Sequence, residues 1–235
     1  MDRYALTARV TPAAIVLLPL IVAISVWAGG SWPLKIVVGT ICWTALAFLA
    51  SQIARDEGKR REPTLWQSWG GRPTTRLLRH SDRTLPRPVQ RRYHEKLGTL
   101  VPNVMLPTEE EEGSAPATAD AMYESCVIFL LERTRDTKAF ALLFSENIAY
   151  GFRRNLWGMK PAGVALAIAG LAAVTVKLCY DIAISSPAEL LALDAAALLL
   201  LSLLLAIWIV RVTPAWVRRA AEAYGLRLLS ACDVL

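Results

Sequence analysis

Two groups of residues in this sequence carry charge in patterns that chemistry can use. The first is the stretch 70–80, Gly-Gly-Arg-Pro-Thr-Thr-Arg-Leu-Leu-Arg-His. Two glycines let a backbone approach an anion closely. Thr74 and Thr75 offer hydroxyl donors, and Arg72, Arg76 and Arg79 are planar forks matched to phosphate. With His80 they form a candidate ligand-binding set, and a helix through 74–80 lines the three arginines along one side. Three kinds of partner fit such a set. One is a phosphate-bearing ligand, a nucleotide or oligonucleotide. A second is anionic lipid headgroups, where each cation contributes about 1 kcal/mol near the surface. The third is the chain's own acids, the glutamates 109–112 or Asp136.

The second group lies inside apolar sequence. Lys177 and Asp181 fall in one hydrophobic run and Asp194 in the next. Ionisable groups at such depth are costly and are functional candidates by default. From the helix rise, Lys177 and Asp194 each sit about 10 Å inside the same membrane boundary, facing each other across a hairpin. Two readings stay open. A Lys177–Asp194 pair would fix the hairpin register. Alternatively, Asp181 or Asp194 carboxylates from several subunits would line a water-filled outer vestibule that favours cations. Arg211 is expected to snorkel at the opposite boundary.

The elements that must position these groups follow from hydropathy. Hydrophobic residues make up 54% of the chain, concentrated in four runs at about 12–28, 33–54, 161–184 and 188–212, each near the roughly 20 residues a bilayer requires. Backbone groups cannot stay unpaired in hydrocarbon, so all four are expected as helices. Pro19 would bend the first, whereas Pro12, Pro33, Pro161 and Pro187 fall near helix starts, where the missing N–H costs little. The connections 29–32 and 185–187 are short and nearly uncharged. Basic residues lie elsewhere: Arg3 and Arg9, the segment after the second run, Arg153, Arg154 and Lys160 before the third, and Arg211, Arg218 and Arg219 after the fourth. By the positive-inside rule both termini and the 55–160 insert face the cytoplasm. Trp27, Trp32, Trp157 and Trp216 fall near the boundaries. Arg3 and Arg9 before an apolar run resemble a signal peptide, but that run leads straight into another and is read as a retained span.

The sequence therefore predicts an all-α membrane protein. It has four transmembrane helices in two hairpins (1–54 and 161–212), a mainly helical cytoplasmic insert between helices 2 and 3 (55–160), and a cytoplasmic C-terminal tail (213–235). Net charge is +6. Residues 55–96 hold twelve Lys/Arg against five Asp/Glu, and 97–160 hold six against nine. Within the insert, 55–87 reads as irregular basic chain, punctuated by Gly-Gly and Pro. A short helix is expected at 89–100 and an exposed loop at 102–117. Thr118 or Asp120 would cap a helix over 121–133 with Met122, Cys126, Phe129 and Leu130 on its apolar face. A helix over 138–157 carries Phe140, Phe144, Ile148 and Phe152 strictly four apart, a stripe that drifts around the helix and is expected to pack in part on another chain. That helix breaks at Gly158, and Arg153, Arg154 and Asn155 are placed to couple the insert to the third span.

No enzyme motif stands out: phosphate-loop, zinc-protease and nucleophile-elbow patterns are missing. Cys42, Cys126, Cys179 and Cys232 lie far apart and read as small hydrophobes. His80 and His94 are the only histidines and read as surface or cap residues. No enzymatic activity, metal or cofactor is expected. The stretches GRPTTRLLRHSD (71–82) and ENIAYGFRRNLWGMKP (146–161) look like those of bacterial membrane proteins of this size. The whole layout resembles small multi-spanning membrane effectors of bacterial anti-phage defence systems. That resemblance implies a homo-oligomer in membrane lipid, a tetramer, which opens or disrupts the membrane when its insert senses a nucleotide, an oligonucleotide or a partner protein. Two other classes compete with it. One is a non-conducting anchor or sensor that recruits a soluble partner or nucleic acid through the basic insert. The other is a small transporter or membrane enzyme, toward which only Pro19 and Gly170 point.

Overall fold

A computed structural model describes residues 3–28 and 33–235, with side chains for 4–27 and 46–235. A helical turn α1 (Arg3–Ala5) and a π-helical turn (Leu6–Val10) lead into α2 (Thr11–Ala28). After 29–32 come α3 (Pro33–Ser68), α4 (Pro73–Arg76), α5 (Arg87–Leu100), α6 (Glu109–Ser114) and α7 (Pro116–Arg133). Then follow α8 (Ala141–Gly158), α9 (Lys160–Ala183), α10 (Ala188–Val210), α11 (Pro214–Ser230) and a closing 3-10 turn (Ala231–Asp233). Among the described residues there is no strand.

Three segments are long and apolar enough to cross a membrane: Leu6–Trp27, Lys160–Ala183 and Ala188–Val210. Their outward side chains, among them Ile168, Val176, Leu193, Leu199, Leu203 and Val210, are large, apolar and exposed, a surface that suits hydrocarbon and not water. The second expected span, 33–54, falls within α3, but its side chains before Leu46 lie outside the described residues, as does Cys42. Trp32 lies outside them as well.

The chain divides into two compact units. One comprises Met1–Arg61 with Gly151–Val217, the other Glu62–Tyr150 with Arg218–Leu235. In the first unit α9 and α10 pack as a hairpin and α2 packs against both. Small residues let them close. The Trp208 ring lies so near Gly163 that a methyl group there would overlap it, and a Cβ on Gly170 would come 3.2 Å from the Pro19 carbonyl oxygen and 3.3 Å from Leu201. Val174 and Leu201 are fully buried at this contact, beside Ala23 and Val26. The α9–α10 turn is a Schellman closure: Ser186 N–H donates to the Asp181 carbonyl at 2.9 Å and Ser185 N–H to that of Ile182 at 3.1 Å, with Ser185 in the left-handed region at φ 54°. At the other end of the hairpin Lys160 Nζ donates to the carbonyls of Val212 (2.8 Å) and Ile209 (3.2 Å), satisfying acceptors that α10 leaves open. Another close approach joins α3 to α8, where a Cβ on Gly158 would meet backbone N of Gly58 at 2.7 Å.

The second unit is an all-helical domain around Leu77, Leu78, Leu97, Tyr123, Cys126, Leu130, Leu228 and Cys232, each fully buried. Several expectations change here. Residues 55–68 are not irregular: α3 runs through them, Pro63 included. Arg, Glu and Lys are good helix formers, and Glu57 pairs with Arg60 at 2.6 Å and Arg61 at 3.2 Å along the helix. The 102–117 stretch is not a plain exposed loop. Thr108 forms a capping box with Glu111 and starts α6. Helix α7 begins at Pro116, earlier than the expected Thr118 or Asp120 cap, and its buried face is Ala119, Tyr123, Cys126, Val127 and Leu130; Met122 and Phe129 are half-buried. Residues 213–235 are more than a tail, since α11 and the turn after it bury Leu228, Leu229 and Cys232 in the same core. Cys126 and Cys232 are buried, and burial pushes each thiol up to about 11. Cys179 is exposed on a membrane helix.

Two glycine substitutions should diverge. Gly158→Ala has only the backbone of α3 to push against and is expected to destabilise the protein by about 1–3 kcal/mol. Gly98→Ala meets nothing within 4 Å and should raise stability by about 0.5–1 kcal/mol through helix propensity. Thermal unfolding in detergent, followed by circular dichroism, measures both.

Candidate functional site

The 70–80 segment is a tight turn whose arginines all meet carboxylates of their own unit. Gly70 and Gly71 adopt φ values of 80° and 132° and end α3: Gly71 N–H donates to the Trp66 carbonyl at 2.8 Å and Gly70 N–H to that of Gln67 at 3.2 Å, the Schellman pattern. The close approach expected of these glycines is made to a cation. Arg79 Nη1 donates to the Gly70 carbonyl at 2.6 Å, and a Cβ on Gly71 would come 2.9 Å from Arg79 Nη2.

Arg79 also grips Asp120 of α7 through two bonds, Nε to Oδ1 at 2.7 Å and Nη2 to Oδ2 at 2.6 Å. Arg72 pairs with Glu124 and lies over the Trp66 ring at 4.4 Å. Arg76 is the deepest of the three, 9% exposed. Its Nη2 donates to Glu222 of α11 at 2.6 Å, its Nη1 to the Trp69 carbonyl at 3.2 Å, and its Nε lies 3.1 Å from Asp82. Arg218 shares Glu222 at 2.8 Å. Burial raises the Glu222 pKa, but Arg218 and Arg76 more than offset it and hold the carboxyl below its usual range. Thr75 is buried and Thr74 half-buried. Of the three partners the sequence left open, this arrangement is the third, internal pairing. The acids are Glu124, Asp82, Glu222 and Asp120, not the expected glutamates 109–112 or Asp136, and they are spread over four positions that sequence spacing could not single out.

Glu112 organises the next turn. Its carboxylate is buried and accepts from His80 N–H at 2.7 Å, Tyr123 Oη–H at 2.8 Å and Ser81 N–H at 3.1 Å. Burial alone would raise its pKa. These three donors reverse the effect and leave it below the usual carboxylate range. Both imidazoles lie beside this turn, edge to face with centroids 4.7 Å apart. His80 Nε2 donates to the Pro107 carbonyl at 2.9 Å and His94 Nε2 to that of Leu78 at 2.7 Å. Burial pulls the His94 pKa down. His80, Arg87, Gln90, Arg91, His94, Glu95 and Glu109 surround a pocket of about 380 Å³. Of these only His80 was expected at a site. The others sit at i, i+3, i+4, i+7 and i+8 along α5, or opposite it on α6, and the helical spacing was the available signal.

In the membrane unit Lys177 meets the expected Asp194 within one chain, Nζ to Oδ1 at 3.4 Å, but lies closer to Asp181, at 2.6 Å from Oδ2, a pairing the sequence reading did not make. Asp194 is fully buried and Asp181 is 4% exposed; Asp194 Oδ2 has no hydrogen-bond partner among the described residues. This is the geometry a register-fixing contact requires. A carboxylate ring would need these groups to turn outward. The residues expected to couple insert and span sit at the close helix contacts of the same unit. Asn155, 1% exposed, donates from Nδ2 to the Ala8 carbonyl at 2.7 Å and accepts from Arg154 at 3.2 Å. Arg153 donates to the Trp216 carbonyl at 3.0 Å and covers its ring at 5.1 Å. Arg211 covers the same ring at 5.5 Å. Among the described residues no group of His, Cys, Asp and Glu is arranged to hold a metal ion. Comparison with protein-family models, with curated proteins and with solved structures finds no match to this chain.

Acid should loosen the second unit through Glu112 and Glu222. Each carboxyl has a folded-state pKa below its ordinary value of 4.5. Their contribution is therefore fully present above about pH 4.5 and is lost as pH falls through the lower folded values. Glu112→Gln should unfold more easily at pH 7 and show a shallower loss between pH 5 and 3 than the wild type, read by thermal melts across that range. Arg76→Met leaves Glu222 with Arg218 alone and removes the cation beside Asp82, and is expected to cost about 1–3 kcal/mol, seen as a lowered melting temperature at pH 7.

Proposed function

We propose that the protein is a ligand-responsive membrane effector, an oligomer, expected as a tetramer, whose membrane helices open a cation-favouring pore when the Glu62–Tyr150/Arg218–Leu235 unit binds its ligand. The observation that carries this reading is the Lys177–Asp181–Asp194 cluster. One ammonium faces two carboxylates inside apolar helices, and among the described residues one buried oxygen of Asp194 is left without a partner. Hydrophobic residues at these positions would cost less, and ionisable groups persist at such depth where they are used. The cluster is the shut state. The 3.4 Å Lys177–Asp194 contact is its longer and weaker link, and releasing it turns carboxylate toward a path between subunits. Helices α3, α8 and α11 each supply residues to both units, so the ligand-binding unit is joined to the membrane unit by several chain segments. The distribution of basic residues supports a bacterial inner-membrane location with both termini and the 55–160 insert inside, crossed by a fourth span within α3. The layout resembles anti-phage defence effectors and supports that role.

A second reading, a non-conducting anchor or sensor, draws on one specific observation. Asp181 and Asp194 are buried against Lys177 of the same chain, as a purely structural contact would be.

Cation flux from liposomes carrying the purified protein separates the two, with nucleoside phosphates or short oligonucleotides added to the face bearing the termini. The effector reading expects flux that appears with ligand and changes severalfold in Asp194→Asn. Flux under no ligand, with Asp194→Asn altering only the melting temperature, leaves the anchor. A monomer in detergent, measured by light scattering, would also sink the pore.

A further inference from the structure

We propose that the pocket on α5 is a phosphate-monoester site, with Arg91 and Arg87 as its cations, and that it is the ligand site of the effector reading, on which this inference rests. The arginine row at 70–80 is the obvious phosphate site by sequence, and in the fold it is consumed. A phosphate arriving there would have to break the pairs of Arg76 with Glu222 and Arg79 with Asp120, both partly buried. The cations one segment further on are in a different state. Arg87 is held only at the surface, by Gln90 at 3.2 Å and by Glu109 at 3.1 Å, whose side chain is 67% exposed. Exposed pairs of this kind yield at little cost. Arg91 makes no ion pair among the described residues, although Glu95 is one turn further along the same helix.

The pocket gives these cations a shape to work in. Its volume, about 380 Å³, lies within the range of small-ligand sites and is far larger than a lone phosphate needs. Arg87 and Arg91 are neighbours at i and i+4 on α5, so two guanidinium forks can reach one phosphate. The two imidazoles form the inner wall. Each commits Nε2 to a backbone carbonyl, which can only accept, so Nε2 carries the proton and Nδ1 is an acceptor. The carboxylates of Glu95 and Glu109 on the rim balance the two arginines when the pocket is empty. They offer acceptors to hydroxyl or amino donors on the rest of the ligand. A bare anion has no use for them; a phosphate monoester with hydroxyl groups beside it, such as a nucleoside monophosphate, uses both kinds of partner. A glycerophospholipid headgroup presents the same phosphate chemistry.

Full-length protein in detergent, titrated calorimetrically with adenosine monophosphate and with inorganic phosphate, tests the site. Nanodiscs containing phosphatidic acid or only phosphatidylcholine test the lipid source. Saturable binding is expected for the nucleotide or for phosphatidic acid, and the arm that responds identifies the source. Arg91→Gln should weaken that binding by at least about tenfold, as loss of a charge-assisted contact does. Arg83→Gln, which removes an exposed arginine of the same basic segment outside the pocket, should leave it within about twofold. Arg91 is exposed, so an unchanged melting temperature will show that Arg91→Gln keeps its fold. No saturable binding of any probe, binding unaltered in Arg91→Gln, or equal losses in both variants would each overturn the proposal. Binding without ligand-gated flux would sink the pore and leave the pocket. Nucleotide-gated flux that Arg91→Gln does not alter would sink the pocket and leave the effector.

Discussion

Arg76 is a permanent cation removed from water, and a buried charge is tolerable only where opposite charge and hydrogen bonds surround it. Asp82, Glu222 and the Trp69 carbonyl do this. Their origins matter more than their number. Trp69 closes α3, Asp82 follows the 70–80 turn, and Glu222 belongs to α11 at the far end of the chain. Neutralising one guanidinium therefore joins three separate stretches of sequence. Once α11 is held by Glu222, Leu228, Leu229 and Cys232 lie over Leu77, Leu78 and Cys126, and the apolar core closes around the ionic contact. Arg79 repeats the arrangement toward α7 through Asp120, and Glu112 inverts it, a buried anion held by two backbone N–H groups and a tyrosine hydroxyl.

The membrane unit obeys the same rule in a harsher solvent. Lipid-facing surface supplies no driving force for helices to associate, so contact depends on close packing and on polar groups satisfied between helices. Gly163 beneath Trp208 and Gly170 beneath Leu201 provide the first. Lys177 with Asp181 and Asp194, Asn155 with the Ala8 carbonyl, and Lys160 with the last carbonyls of α10 provide the second. The two ends of the α9–α10 hairpin differ in kind. One carries Lys160, Arg211 and the Trp216 ring, the pattern of an interface. The other carries a cluster with one more carboxylate than ammonium, which is the feature least explained by packing alone.

The second unit is accordingly divided in its use of charge. Arginines 72, 76 and 79 are structural ties. Arg87 is held only by Gln90 and the exposed Glu109, and Arg91 is exposed with no ion pair among the described residues. Basic character spread along 55–96 thus separates, once folded, into residues tied to buried or partly buried acids and residues at the surface.

Sequence alone was enough for properties that depend on neighbours along the chain. The apolar runs that become α9 and α10, the interruption at 185–187 and the helix expected at 89–100, which α5 starts two residues earlier at Arg87, follow from helix periodicity. So did the all-helical class, because lipid leaves backbone groups no partner but their own helix. The fourth span rests on sequence, since the side chains of 28–45 lie outside the described residues. What tertiary structure decided was pairing across distance. Nothing local to Arg76 marks Glu222, 146 residues away, as its counter-charge, and nothing local to Glu112 marks it as the acceptor for His80 and Ser81. The recruitment of α11 into the core had the same origin, because Leu228, Leu229 and Cys232 are buried against distant elements. Sequence pointed to Arg72, Arg76 and Arg79 as cations suited to phosphate; only the fold could show that each already had a partner.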